Sequence, residues 1–154
     1  MKYEFVETDK PQVCEKILRS LPKWFGIESA ILDYINDVQR MPMLVAKKES
    51  EVVGFLALNL HNNYTAEIHV VGVLPEFHRQ KIGQRLVSIA EEYLRDKGFQ
   101  YLTVKTLSES KPDENYDRTR NFYYGVGFLP VEEFKTLWGE HNPCLLLIKN
   151  ILPS

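Results

Sequence analysis

The sequence predicts an α+β fold built around one mixed β-sheet, and two observations carry that prediction. Apolar residues keep helical spacing in some segments and strand rhythm in others, in the order strand, two helices, three strands, helix, strand, helix, two strands. No linker, repeat or low-complexity tract interrupts the 154 residues, a length that suits one core. Residues 1–154 are therefore expected to form a single domain.

Tyr3-Glu4-Phe5-Val6 reads as a short opening strand. Asp9 followed by Pro11 marks a helix start, because proline fits a first turn where its missing N–H is no loss. Val13, Ile17, Leu18 and Leu21 line one side of that helix, and Pro22 ends it. Lys23-Trp24-Phe25-Gly26 is a loop with two large aromatics. A second helix fits Ser29 to Arg40, where Ile27, Ile31, Ile35 and Val38 recur at helical spacing.

Strand signals dominate next. Met43 to Lys47, a turn at Lys48-Glu49-Ser50, and Val52 to Leu58 form a hairpin pattern. Ala66 to Val73 is a further strand, which Pro75 cannot continue. A longer helix is expected from about Lys81 to Lys97, with Ile82, Leu86, Ile89, Ala90, Tyr93 and Leu94 on its apolar side and Gly98 as its stop. Tyr101 to Leu107 is β-rich. The polar stretch Ser108 to Asn115 reads as a loop before a helix from about Tyr116 to Tyr124, which Gly125 and Gly127 should break. Val131 to Trp138 and Cys144 to Ile151 are expected to close the sheet, with an edge available for pairing two copies as a homodimer.

Composition narrows the function. Apolar residues are 44% and charged residues 26%, which excludes a disordered chain. Nineteen basic against twenty-one acidic residues leave a net charge of −2, which argues against a nucleic-acid binder. The two cysteines, Cys14 and Cys144, make neither a disulfide framework nor a metal-ligand spacing, so no metal is expected. No apolar run has signal-peptide or membrane-span length, so the expected location is cytoplasmic, with no membrane partner.

The chemistry concentrates in one turn. The strand ending at Val73 leads through Leu74-Pro75-Glu76-Phe77 into His78-Arg79-Gln80-Lys81-Ile82-Gly83-Gln84, which opens the long helix. A helix start offers unpaired N–H groups and a positive dipole end, which suit a phosphate. Gly83 permits close backbone approach, and Arg79, Lys81 and Arg85 add positive charge. Spacing alone is equally compatible with an ordinary strand-turn-helix whose basic first turn is solvated. Neither a Rossmann fingerprint nor a Walker A loop is present.

This segment resembles the GNAT superfamily of acyl-CoA-dependent N-acyltransferases. The family signature, Gln/Arg-x-x-Gly-x-Gly/Ala, falls on His78, Lys81 and Gly83, so two of its three positions depart from the pattern. Lys81 replaces the middle glycine and is expected to keep a negative φ. A second block supports the likeness: Thr119 to Phe128 is similar to Ala-x-x-Phe/Leu-Tyr-x-x-x-Gly-Phe, with Tyr123 on the family tyrosine and Gly127-Phe128 on its Gly-Phe. Arg120 stands where a small residue is usual.

The resemblance implies a three-layer fold, with a mostly antiparallel mixed sheet flanked by about four helices. It implies direct transfer of an acetyl group from acetyl-CoA to a primary amine of a small molecule or peptide. Cofactor binding would fall to the backbone of Val71 and Val73 and to His78, Arg79, Gln80, Lys81, Ile82, Gly83 and Gln84. Glu67 would be the base, since it lies where several such enzymes carry a catalytic glutamate, and Tyr123 the acid that protonates the leaving thiolate. His69, two residues along the same strand, projects to the same side and could relay a proton. Gly72 is expected to mark a bulge or a tight packing point. Trp24, Phe25 and His69 are the candidates for acceptor contact, with Trp138, His141, Asn142 and the pair Glu132 and Glu133 further out. A non-catalytic acyl-CoA-binding regulatory module is the alternative that His78 and Lys81 keep open.

Overall fold

A computed structural model describes residues 1–153. The elements follow the expected order: β1 (Lys2–Val6), α1 (Lys10–Arg19), α2 (Glu28–Asp37), β2 (Met43–Lys48), β3 (Glu51–Leu60), β4 (Thr65–Val73), α3 (Ile82–Asp96), β5 (Tyr101–Leu107), α4 (Glu114–Gly125), β6 (Leu129–Phe134) and β7 (Cys144–Asn150). One sheet holds all seven strands in the order β1-β2-β3-β4-β5-β7-β6. Among the described residues only β4 and β5 pair in parallel.

The helices cover both faces, and two glycines show it. Gly54 and Val73 are register partners, as are their neighbours Phe55 and Gly72. A Cβ on Gly54 would meet Ile82 of α3, whereas one on Gly72 would meet Ile17 and Leu21 beside α1, the former at 3.0 Å. Successive strand residues face opposite sides, so α1 and α3 sandwich the sheet. Phe55, Leu56 and Leu58 of β3 are fully buried, together with Ile17 and Leu18 of α1 and Leu86 and Leu94 of α3. Emptying one such site, as in Phe55→Ala, would cost about 3–5 kcal/mol.

Four local expectations change. The bulge in β4 is not at Gly72, which is a packing glycine; it falls at His69, because Val70 pairs with Ala57 and Ile68 with Leu58. Helix α4 starts at Glu114, because the Asp113 carboxylate accepts the amides of Asn115 and Tyr116 and caps the helix inside the stretch read as loop. That helix runs through Gly125, and Gly127 at φ +106° makes the stop. Finally, β6 begins at Leu129 and ends at Phe134, leaving Trp138 in the turn beyond it. Pro130 is tolerated there because β6 is an edge strand.

Candidate active site

The parallel pairing of β4 with β5 ends at Ile68 and Val104. The extra residue at His69 bends β4 at that point, and the two strands part. A cavity of about 600 Å³ fills the opening, lined by Val70 to Val73 on one wall and Val104 to Thr106 on the other. Its ends reach the turn before α3 and the aromatic loop after α1.

At the α3 end, the amides of residues 79–84 donate no hydrogen bond among the described residues, and the first helical bond runs from the Arg85 amide to the Lys81 carbonyl. Arg79 and Lys81 both lie in the left-handed region, at φ +65° and +63°. Lys81 therefore does not keep the negative φ expected of it. Left-handed residues alternating with ordinary ones make a nest of amides that suits an anion, and this is why the family signature prefers glycine there. Arg79, Lys81, Gly83 and Gln84 line the cavity. A Cβ on Gly83 would stand 3.4 Å from the Phe122 ring of α4, an ordinary contact, so the passage between α3 and α4 takes a methyl group but not a longer side chain.

Backbone direction completes this wall. The Leu74 amide donates to the Val53 carbonyl on β3 at 2.8 Å. Amides alternate edges along a strand, so those of Val73 and Val71 face the opening, where β5 no longer pairs. The ring of His78 folds back and donates from Nε2 to the Val73 carbonyl at 2.7 Å. Thr106 Oγ1, buried on the same cavity, has no hydrogen-bond partner among the described residues. An orphaned hydroxyl costs free energy that a bound polar ligand would recover.

On the α2 side, Trp24 and Phe25 line the cavity. The Trp24 indole donates to Thr119 Oγ1 at 3.1 Å, and Tyr116 Oη donates to the Trp24 carbonyl at 2.7 Å, so the loop is tied to α4. His69 also lines the cavity and turns to α2: its ring packs edge-on to Tyr34, and its Nε2 lies 2.9 Å from an Asp37 carboxylate oxygen. A carboxylate only accepts, so Nε2 carries the hydrogen and Nδ1 of the neutral ring keeps a free lone pair.

Glu67 is placed differently from the expected base. It is buried and does not line the cavity; both its oxygens take Lys105 Nζ at 2.9 and 3.1 Å, and one also takes His61 Nε2 at 2.7 Å. Lys105 stands on the wall in front of it. On the α2 side the Tyr34 ring packs edge-on to His69, and burial, with the Glu67 charge second, pushes its hydroxyl above the usual phenol range.

Tyr123 lines the cavity and is 5% exposed, with no hydrogen-bond partner for its hydroxyl among the described residues. Burial holds that phenol well above its usual range, so it stays protonated. Tyr124 points away and is exposed. Arg120, at the position of a usual small residue, is buried yet paired: it donates to the Leu107 carbonyl and to Asp117, tying α4 to the end of β5. Of the outlying candidates, Trp138 lines the cavity. Glu133 instead accepts from Ser108 and Ser110, whose hydroxyls hold its carboxyl below the usual range, and Asn142 accepts from Lys111.

Sequence reasoning missed Lys105 and Asp37. The signals were present: a lone charge in an apolar strand, and an acid in the last turn of a helix, where the dipole disfavours it. Among the described residues no group of three or more His, Cys, Asp or Glu could hold a metal ion, and no helix is long and apolar enough to cross a membrane.

The model of the acetyltransferase (GNAT) family matches residues 11–128. The chain belongs to the GNAT acetyltransferase family. GNAT relatives and folds agree with that placement. An uncharacterized N-acetyltransferase of Chlorobaculum tepidum is 26% identical over 117 residues, covering 74% of this chain and 65% of that protein. An aminoalkylphosphonate N-acetyltransferase of Salmonella typhimurium is 36% identical over 67 residues, covering 40% of this chain and 44% of that protein. The chain thus spans less than two thirds of the length of either relative. The fold superposes on an aminoglycoside 6′-N-acetyltransferase complexed with coenzyme A at a TM-score of 0.78, with 18% identity and coverage of 100% and 99%. A GNAT acetyltransferase of Elizabethkingia anophelis with acetyl-CoA bound gives 0.75, with 17% identity and 97% of both chains covered.

Proposed function

We propose that this GNAT protein transfers the acetyl group of acetyl-CoA directly to a primary amine. The carrying observation is the row of free amides at residues 79–84, set at the mouth of a cleft that opens between two parallel strands. The diphosphate would rest on those amides, with Arg79 and Lys81 beside it, and the pantetheine arm would run along the Val71 and Val73 amides past Thr106.

In this reading the amine enters from the α2 side. An amine with a pKa near 10.4 is protonated at neutral pH and cannot attack until it loses a proton. His69 takes that proton on Nδ1, and Asp37 stabilises the charged ring. The nitrogen attacks the thioester carbonyl, whose oxygen draws on the Val71 amide. The carbon–sulfur bond breaks, and the thiolate takes the Tyr123 hydroxyl proton while the second proton of the attacking nitrogen passes to the Tyr123 oxygen, so that amide and thiol leave and the tyrosine ends protonated. Glu67 acts at one remove: with both oxygens committed, it holds Lys105 at the wall.

The test has two arms. Acetyl-CoA at a hundred times its Kd should stabilise the fold by about 2.7 kcal/mol in a thermal-shift experiment. Thiol release over a panel of amines should then show turnover. A stabilised protein that acetylates nothing would be the acyl-CoA-binding regulatory module instead; no stabilisation at all would end both readings. The relatives act on amines as different as aminoalkylphosphonates and aminoglycosides, which differ in the charge carried beyond the amine.

A further inference from the structure

The wall of the cleft has one sign of charge. Among the described residues no aspartate or glutamate lines it, whereas Arg79, Lys81, Lys105 and Arg118 do. Arg79 and Lys81 belong to the diphosphate end, on the turn before α3. Lys105 does not: it sits on β5 two residues from Thr103, the register partner of Glu67, and so faces the α2 side with Glu67 and His69.

The ion pair behind it makes Lys105 a fixed cation. Glu67 is buried and does not line the cavity, whereas Lys105 does, so the pair is a dipole whose positive end is presented to the cavity, and His61 also holds the carboxylate. Two contacts to one carboxylate leave the ammonium donor capacity to spare. A polycationic acceptor would bring several ammonium groups against this wall, where Glu67 and Asp37 are already engaged by Lys105 and His69 and no carboxylate faces the cavity among the described residues. Elsewhere on the cavity wall, Trp24, Phe25 and Tyr34 supply apolar surface for a short carbon chain.

We propose that the acceptor is a primary amine that also carries an anionic group, a carboxylate or phosphonate, bound by Lys105 while the amine lies at His69. This rests on the acetyl-transfer reading for its chemistry, but the binding site itself does not.

Calorimetric titration in the presence of CoA tests it with 2-aminoethylphosphonate, β-alanine, propylamine and spermidine. Both anionic probes, or one of them, should bind about tenfold tighter than propylamine, and spermidine no tighter than propylamine. The phosphonate and carboxylate arms tell the two anions apart. In Lys105→Met the preference should collapse, while Lys105→Arg keeps a part of it. Because Lys105→Met strands a buried carboxylate, Glu67→Gln/Lys105→Met is measured beside it and should show the same collapse. Equal binding of anionic and neutral probes, tighter binding of spermidine, or a preference that survives in the folded double variant overturns the proposal. A protein that binds the anionic amines and never acetylates them keeps the site and loses acetyl transfer; one that acetylates polyamines does the reverse.

Discussion

His69 Nε2 and the Asp37 carboxylate, 2.9 Å apart, join the bulge of β4 to the last turn of α2. The bulge aims the ring at the helix, and the acid fixes which ring nitrogen keeps its lone pair. If that pair accepts the amine proton, His69→Gln should lower kcat about 100-fold with little change in the KM for acetyl-CoA, and Asp37→Asn should lose less, about tenfold. Steady-state kinetics with a neutral and a charged amine would check it. A His69→Gln protein with unchanged kcat would remove His69 from the chemistry.

Tyr123 offers a cleaner variant. Its hydroxyl has no partner among the described residues, so Tyr123→Phe should melt close to the parent while losing about tenfold in kcat, the modest share of an acid serving a good leaving group. Burial raises the phenol, so its proton stays on through the assay range and should impose no alkaline fall in kcat below pH 10. The kcat profiles of parent and variant between pH 7 and 9.5 should therefore run parallel. An alkaline limb lost on substitution would contradict the raised phenol.

Much of this was legible before any coordinates. The strand and helix rhythm around Phe55 and Leu86 set out the order of elements, and the resemblance of Thr119 to Phe128 to the family's second block singled out Tyr123, which lines the cleft. What was hidden was tertiary or conformational. Asp37 meets His69 across 32 positions of sequence, and no local pattern pairs them. The left-handed φ of Lys81 is imposed by the turn, on a residue whose own preference is against it. Glu67 sat where a base was expected, but only the approach of Lys105 from β5 reveals that its oxygens are committed.

The Lys81 backbone can be tested by stability. A left-handed non-glycine costs about 1–2 kcal/mol, and glycine's greater freedom when unfolded takes back about 0.4–1 kcal/mol. The net gain is about 0–1.6 kcal/mol, so Lys81→Gly should raise Tm by up to about 6 °C. It should also weaken acetyl-CoA binding modestly, by one lost surface charge, with a smaller dependence on salt. A clear fall in Tm would mean that the lysine side chain contributes more than its backbone costs.

Gly83 should separate binding from folding. A Cβ there is in ordinary contact with Phe122, so Gly83→Ala should be tolerated, while Gly83→Leu pushes a branched chain into the passage between α3 and α4. The expected outcome is a folded Gly83→Leu protein, judged by circular dichroism, whose melting no longer responds to acetyl-CoA. An undiminished response would place the diphosphate elsewhere.

The two thiols set a stability trend with pH. Burial pushes Cys14 up to about 12 and Cys144 up to about 11, against about 8.5 for a free thiol. Between those values the unfolded chain has released protons that the folded chain retains, so folding becomes less favourable as pH rises. The contribution is complete below pH 8.5 and is lost through pH 11 for Cys144 and through pH 12 for Cys14. Melting temperatures taken at fixed ionic strength should fall steadily from pH 8.5 to 10.5, and more shallowly in Cys14→Ala than in the parent, although that variant starts lower because it leaves a cavity. The same burial should keep both thiols silent to an aromatic disulfide reagent until the chain unfolds, so thiol release in the acetylation assay reports CoA alone. Stoichiometric labelling of the folded protein at pH 8, or a flat melting curve up to pH 10, would show these sulfurs to be open to solvent.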